Sequence, residues 1–385
     1  MTDATPLLIP AGTVFTPDDL VFFFDRDSRT LDEAIAAADV LVSCPHSGAA
    51  IPAELSRFLA PEFTRRLQFD FSDQSTSPIV RRWAQIDPRI VYVENPHPRM
   101  IRDPNREKPA DLRATLGEAF ARVEAAGPGV RTDLSGVDAV RPVTFSFYPL
   151  LKIPRTEAEL NDLADTFSEV ATHGLGVYES TRDDLIERFV SAKLAAAARP
   201  GSGAGLGAGS AGGSFTTLSF HDTMNHTTTP DGAVNVDRPE ADRLPRVVAL
   251  SNRGDTNGDP RVDATGELQP VTMQPDRIRS LAEAHRSGFQ VESADDVALN
   301  KPYLGSYEII KAGARFRELA PASESVGLIL AAVQAEFLRE FLLGAANTAT
   351  LMQPGTGWVT PDPEQVDRIA HACKASWDLF RDGDA

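Results

Sequence analysis

The chain has 385 residues, 42% apolar and 24% charged, ordinary figures for a globular protein with a substantial core. Its net charge of −17 argues against a nucleic-acid partner, because phosphate binding needs a basic face, although a few local arginines can still hold a small anion. No apolar run reaches the roughly 18 residues of a membrane span, no signal-peptide pattern opens the sequence, and two cysteines, Cys44 and Cys373, fit a reducing cytoplasm.

The first clear element is the apolar run "DVLVSC", a strand that breaks on "PHSG". His46 there is either an ordinary strand-end residue or a metal ligand aimed into a site. Cys44, two residues earlier, is either an inert buried thiol or a nucleophile. "RIVYVE" reads as the next strand and leads to "NPHPRMIRDPNRE". Arg99, Arg102, Asn105 and Arg106 concentrate donors there, either as a solvated loop or as a cradle for a carboxylate, which guanidinium groups bind bidentately. His97, flanked by two prolines, reads as a loop residue.

"VTFSFY" is a further strand candidate. In "TEAELNDLADTFSEVATHG" Thr156 and Glu159 form a capping box, Leu160, Leu163, Phe167 and Val170 make an apolar stripe, and Gly174 is the stop. A second helix is expected from Thr181 to Pro200. Residues 199–214, "RPGSGAGLGAGSAGGS", read as a flexible loop inside a single domain spanning 1–385.

"FTTLSF" is a strand ending at His221 and Asp222, and "RVVALS" ends at Asn252, Arg253 and Asp255. "PDRIRSLAEAHRSG" is a helix. "VGLILAAVQAE" is an almost wholly apolar strand closed by Glu336, a carboxylate that serves either as a cleft base or as a partner for the following helix dipole. The last helix starts near Pro363 and places Val366, Ile369, Cys373 and Trp377 on one face, so Cys373 is a core residue.

Short, nearly continuous apolar strands interleaved with helices predict an α/β fold with a mixed, largely parallel central sheet flanked by helices. Such sheets bind ligands at the carboxyl ends of their strands, where His46, His221, Asp222, Asn252 and Glu336 gather. Two histidines with a carboxylate suit zinc.

The segments "CPHSGAAIP", "FDFSDQSTSPIVRRW", "RMIRDPNRE", "FHDTM", "NKPYLGSYEI" and "VQAEFLREFLLG", in that order, resemble the N-formylglutamate amidohydrolase family. That family is similar to zinc carboxypeptidases and aspartoacylase-type deacylases. The resemblance implies a phosphorylase/hydrolase-like fold, one Zn²⁺ and hydrolysis of the amide of a small N-acyl amino acid. It implies His46, Asp73 and His221 as metal ligands, with Asp70 as the fallback carboxylate. Asn105 and Arg106 match the pair that grips the substrate carboxylate, Arg99 the group that polarises the scissile carbonyl, and Glu336 the carboxylate that activates water.

Three positions depart from the pattern. Ala49 stands where carboxypeptidases carry a glutamate ligand, and Ser219 stands where the family carries an aspartate beside the second histidine. Its absence would weaken the orientation of that histidine, or the task would pass to Asp222. "FYPLL", from Phe147, lacks a histidine expected nearby. "SNRGDTNGD" and "NKPYLGSY" are expected to border the pocket, with Tyr303 offering a hydroxyl or only a packed ring. Two rival readings remain: a non-catalytic metal- or ligand-binding relative, and a cysteine-dependent amidase using Cys44. Pro45 speaks against the second, since no helix N-terminus follows to acidify the thiol.

Overall fold

The computed structural model describes residues 5–127, 129–199, 213–263 and 265–383. Its centre is a seven-stranded sheet built from β1 (Val21–Phe23), β2 (Val40–Cys44), β3 (Ile90–Glu94), β4 (Ser214–Thr223), β5 (Val248–Ser251), β6 (Val297–Leu299) and β7 (Ile329–Leu338). The spatial order is β6-β5-β7-β4-β2-β3-β1. β2, β3, β4 and β7 run parallel to one another, while β1 and the β5–β6 pair run against them. The sheet is therefore mixed and largely parallel, as the apolar runs predicted.

The longer helices are α1 (Thr76–Ile86), α2 (Leu112–Ala126), α3 (Glu157–His173), α4 (Leu175–Ala197), α5 (Pro275–Gly288), α6 (Tyr307–Glu318) and α7 (Pro363–Gly383). Strand side chains alternate between two faces, and each face carries its own helices. Leu41, Phe215 and Ala332 pack with Phe167 of α3, Phe189 of α4 and Phe316 of α6. Val42, Leu218, Phe220 and Val333 pack with Trp83 of α1, Leu281 of α5 and Trp377 of α7. Cys373 belongs to this second cluster and is a core residue, as its helical spacing indicated.

Three expectations change. "VTFSFY" forms no strand; it makes a single bridge from Val143 to Pro149. Pro142 and Pro149 interrupt any ladder, and Phe147 adopts φ 64°, which turns the chain. The second predicted helix begins at Leu175, six residues before Thr181, and ends at Ala197. Gly174 is the sharp junction between α3 and α4, because a Cβ there would lie 2.5 Å from the His97 ring. At the start of α3 the capping is only half reciprocal: Thr156 accepts from Glu159 N at 3.2 Å, but the Glu159 carboxylate accepts from Arg155 N at 2.6 Å. Of the expected 199–214 loop, residues 200–212 lie outside the described residues, and Ser214 already belongs to β4. Among the described residues no helix is long and apolar enough to cross a membrane.

Two histidines tie the fold to pH. His285, within α5, sends Nδ1 to the Leu281 carbonyl at 2.9 Å and stacks on Phe289. Burial pushes His285 down to about 4, and burial together with His173 does the same to His97. Free imidazoles protonate near about 6.5, so the unfolded chain binds more protons than the folded one between that value and about 4. Stability is therefore present above this window and lost as pH falls through it, by about 1.4 kcal/mol per pH unit for each ring. His285→Gln is expected to flatten the pH dependence of the urea unfolding free energy by one ring's share. An unchanged slope would refute the neutral assignment.

Candidate metal centre

The site is assembled where β2, β4 and β7 end. Register pairs Ser43 with Ser219, Ser219 with Gln334, and His221 with Glu336. All of these side chains point to the α3, α4 and α6 face, so His221 and Glu336 are direct neighbours across two parallel strands. Beyond β2 the chain turns sharply. Ser47 Oγ donates to Cys44 O at 2.9 Å, and Asn95 Nδ2 donates to Pro45 O at 2.8 Å. Gly48 permits the approach of the neighbouring segment, since a Cβ there would sit 2.5 Å from the Pro96 carbonyl. This turn carries His46 back over the strand ends.

His46, Asp73 and His221 converge, all buried, with one ligand atom from each within 4.8 Å of the others. The two Nδ1 atoms are 3.2 Å apart, and Asp73 Oδ2 lies 3.2 Å from His46 Nδ1 and 2.9 Å from His221 Nδ1. The outer nitrogens are engaged elsewhere. His46 Nε2 lies 2.6 Å from Asp103 Oδ1. Burial works to raise Asp103, but Arg99 and His46 hold its carboxyl well below the usual range, so it accepts and His46 Nε2 carries the hydrogen. His221 Nε2 lies 2.9 Å from Ser219 Oγ, whose own hydrogen goes to Glu308 Oε2 at 2.8 Å.

Both rings thus turn Nδ1 toward one point, beside a carboxylate oxygen. Such a set suits either a proton shared with Asp73 or a cation held by all three groups. Two nitrogens and one carboxylate oxygen, with open space beside them, is the donor set of a catalytic zinc site. Burial and Arg99 work to lower His46, yet Asp103 and Asp73 prevail and raise it. The residues present fit a divalent metal. Asp70 is not among them; its Oδ2 accepts from Thr228 Oγ1 at 2.8 Å.

The Asp73 loop is pinned from the opposite side. Arg339, the arginine of "VQAEFLRE", pairs with Asp222 and donates to Ser72 O at 2.7 Å, Asp70 O at 3.3 Å and Phe69 O at 3.4 Å. Ser75 N donates to the other oxygen of Asp222 at 3.0 Å, and Asp73 N donates to His46 O at 3.0 Å. Asp222 therefore braces the loop that carries Asp73. It does not contact the His221 ring, whose Nε2 faces Ser219 instead.

Arginines line the cleft. Arg99 pairs with Asp103, lies 3.8 Å from Asp73 Oδ1, and rests over the rings of Phe71 and Phe145. Arg106 donates to Asp138 at 2.7 Å. Arg141 covers the same Phe145 ring, 4.8 Å from its centroid, with no ion-pair partner among the described residues and a buried Nε that finds no acceptor. Burial and the nearby Arg99 push Arg141 down to about 10. Glu336 is buried and accepts from Thr223 Oγ1 at 2.8 Å and Gln334 Nε2 at 3.1 Å. Free space beside Asp73, Arg99, Phe145 and Arg238 is about 30 Å³.

Other expected residues lie elsewhere. Cys44 points to the opposite face of the sheet, in the α1 core, and burial pushes its thiol well above the ordinary range, so it faces no part of this cleft. Asn105 lies behind His221: its Oδ1 accepts from Glu308 N at 3.0 Å and its Nδ2 is 3.3 Å from His221 Nε2. Asn252 is scaffolding; its amide nitrogen donates to Gly258 O and Met273 O, and its Oδ1 accepts from Asn300. The Tyr303 hydroxyl accepts from Arg238 at 2.9 Å. Asp103, Arg141, Glu308 and Arg339 were not singled out from sequence. Asp103, Glu308 and Arg339 each lay inside a segment quoted for the resemblance, in "RMIRDPNRE", "NKPYLGSYEI" and "VQAEFLREFLLG"; Arg141 had no signal.

Residues 38–167 match the family model for N-formylglutamate amidohydrolase. The match includes His46, Asp73, Arg99, Asn105 and Arg106, so the resemblance seen in "PHSG" and "RMIRDPNRE" holds over this span; His221 and Glu336 lie beyond it. Among solved structures, the chain is similar to an N-formylglutamate amidohydrolase from Ralstonia eutropha JMP134, at 18% identity over 90% of this chain and 95% of that one, with a TM-score of 0.49. No curated protein matches.

Proposed function

We propose that the chain is a metal-dependent amidohydrolase that cleaves the amide of a small N-acyl amino acid of the N-formylglutamate type. The observation that carries this reading is the convergence of two imidazole nitrogens and Asp73 beside Glu336. The family match over residues 38–167 supports the same chemistry.

A divalent metal held by His46, Asp73 and His221, with zinc favoured by the donor set, would polarise the amide carbonyl and supply water acidified toward neutral pH. Glu336 takes the proton from the attacking water and returns it to the departing nitrogen. Thr223 and Gln334 hold its carboxylate in one orientation for both transfers. Arg99, aligned by Asp103, donates to the oxyanion as negative charge develops on the carbonyl oxygen. Arg106 and the unpaired Arg141 offer the carboxylate of the substrate local positive charge, despite the net −17 of the chain. Asn105 contributes by fixing the start of α6 through the Glu308 N–H.

Glu336→Gln keeps the shape and hydrogen-bonding size of the side chain and removes the base. It is expected to lower kcat on N-formylglutamate by about 10²- to 10⁴-fold, with metal content retained and KM little changed. Steady-state kinetics and metal quantification on the same preparation check this. Full activity in the variant would remove Glu336 from the mechanism. Bound metal with no turnover by the wild type on any N-formyl or N-acetyl amino acid would favour the non-catalytic relative.

A further inference from the structure

His221 Nε2 faces two groups that compete to set its tautomer. One is the Asn105 amide nitrogen at 3.3 Å, which can only donate, because the Asn105 oxygen is committed to Glu308 N. The other is the Ser219 hydroxyl at 2.9 Å, which can donate or accept. Were both to donate to Nε2, the ring would carry its proton on Nδ1, directed at Asp73, and would offer no lone pair to a metal.

Glu308 decides between these states. It is buried at the start of α6, and its Oε2 is 2.8 Å from both Ser219 Oγ and Ser43 Oγ. Its Oε1 accepts from Tyr178 Oη at 2.6 Å and pairs with Arg182 of α4. Every neighbour of this carboxylate donates to it, so it can only accept. The hydrogen of Ser219 is drawn toward Glu308, the Ser219 oxygen is left to accept, and His221 must place its proton on Nε2.

We propose that Glu308 and Ser219 form a positioning relay: a buried carboxylate on α6 acts through one serine hydroxyl to hold His221 in its metal-binding tautomer. The relay rests on the metal reading of the site, and it explains how the chain manages without a carboxylate at position 219. Histidine ligands ordinarily donate their outer N–H directly to such a group, and its loss typically costs about 10- to 100-fold in metal affinity.

The test is a competition titration of zinc against a chromophoric chelator on the full-length chain, with thermal unfolding of each metal-free variant in parallel. Ser219→Ala leaves Asn105 as the only hydrogen-bonding neighbour of Nε2 among the described residues and is expected to weaken zinc binding about 10- to 100-fold. Ser219→Thr keeps the hydroxyl, and its methyl can enter the adjacent cavity lined by Thr217 and Ile309; affinity within about threefold of wild type is expected. Ser43→Ala removes the other donor to Glu308 Oε2 without touching His221 and is also expected to stay within about threefold. Glu308→Gln, where it folds, should match Ser219→Ala, because a glutamine amide can donate to Ser219 and reverse the relay. Unchanged affinity in Ser219→Ala, or equal losses in Ser219→Ala and Ser43→Ala, would overturn the relay while leaving the metal site standing. A wild-type chain that takes up no zinc would refute the metal reading itself, and the relay with it.

Discussion

Asp73→Asn is expected to abolish stable metal uptake and to lower kcat/KM on N-formylglutamate by about 1000-fold or more. The amide nitrogen or oxygen would stand where Oδ2 now approaches both histidines at 2.9 and 3.2 Å, without the charge that balances a divalent ion. Metal polarisation of the reacting carbonyl is worth several kcal/mol, and about 1.4 kcal/mol is tenfold in rate. Burial works to raise Asp73, but the two neighbouring imidazoles hold its carboxyl well below the usual range. Asp70→Asn is the matched control. Its carboxyl bonds Thr228 outside the cluster, and the variant is expected to retain its metal. Reversed outcomes for the two aspartates would move the third ligand from Asp73 to Asp70.

Arg339→Met carries the largest expected loss of stability. It leaves Asp222 buried with no counter-ion and frees the carbonyls of Phe69, Asp70 and Ser72. Removing one partner of a buried pair costs about 3–5 kcal/mol. Burial and Asp73 already push Asp222 up to about 7 against the pull of Arg339. Without the guanidinium, Asp222 is expected to keep its proton in the folded state. The folded variant then binds more protons than the unfolded chain, so its deficit should be smallest in mild acid and grow as pH rises. Urea unfolding at several pH values checks both size and sign. Because Arg339 also ties down the Asp73 loop, metal affinity should fall with it. Arg339→Met combined with Asp222→Leu should recover part of the loss, since an apolar pair replaces a buried ion pair at little net cost.

The contrast between these two aspartates shows what sequence could and could not reveal. The strands at the site were legible because "VLVSC", "TTLSF" and "LAAVQAE" are apolar on both faces, and parallel sheets place their polar ends together. His46, His221 and Asp73 followed from motifs. Register was not written there: nothing local says that Glu336 stands beside His221 or that Ser219 stands between Ser43 and Gln334. The role of Glu308, although it stands in "NKPYLGSYEI", was hidden for the same reason. Within "SYEIIKAGARFRE" it looks like a first-turn acid, and its partners Ser219, Tyr178 and Ser43 lie 89, 130 and 265 residues away. "VTFSFY" misled because its apolar and β-branched residues suggested a strand while its flanking prolines forbade a ladder. α1 went unread because its buried Ile79, Val80 and Trp83 share a short segment with Arg81 and Arg82, which point away from the core.

The account stands on one cation joining His46, Asp73 and His221. The most direct check is metal quantification on the purified wild-type chain, followed by N-formylglutamate hydrolysis before chelation, after it, and after zinc is restored. One equivalent of zinc per chain is expected, with hydrolysis lost on stripping and regained on addition. A chain that contains no metal, takes up none, and hydrolyses the amide equally well in strong chelator would contradict it.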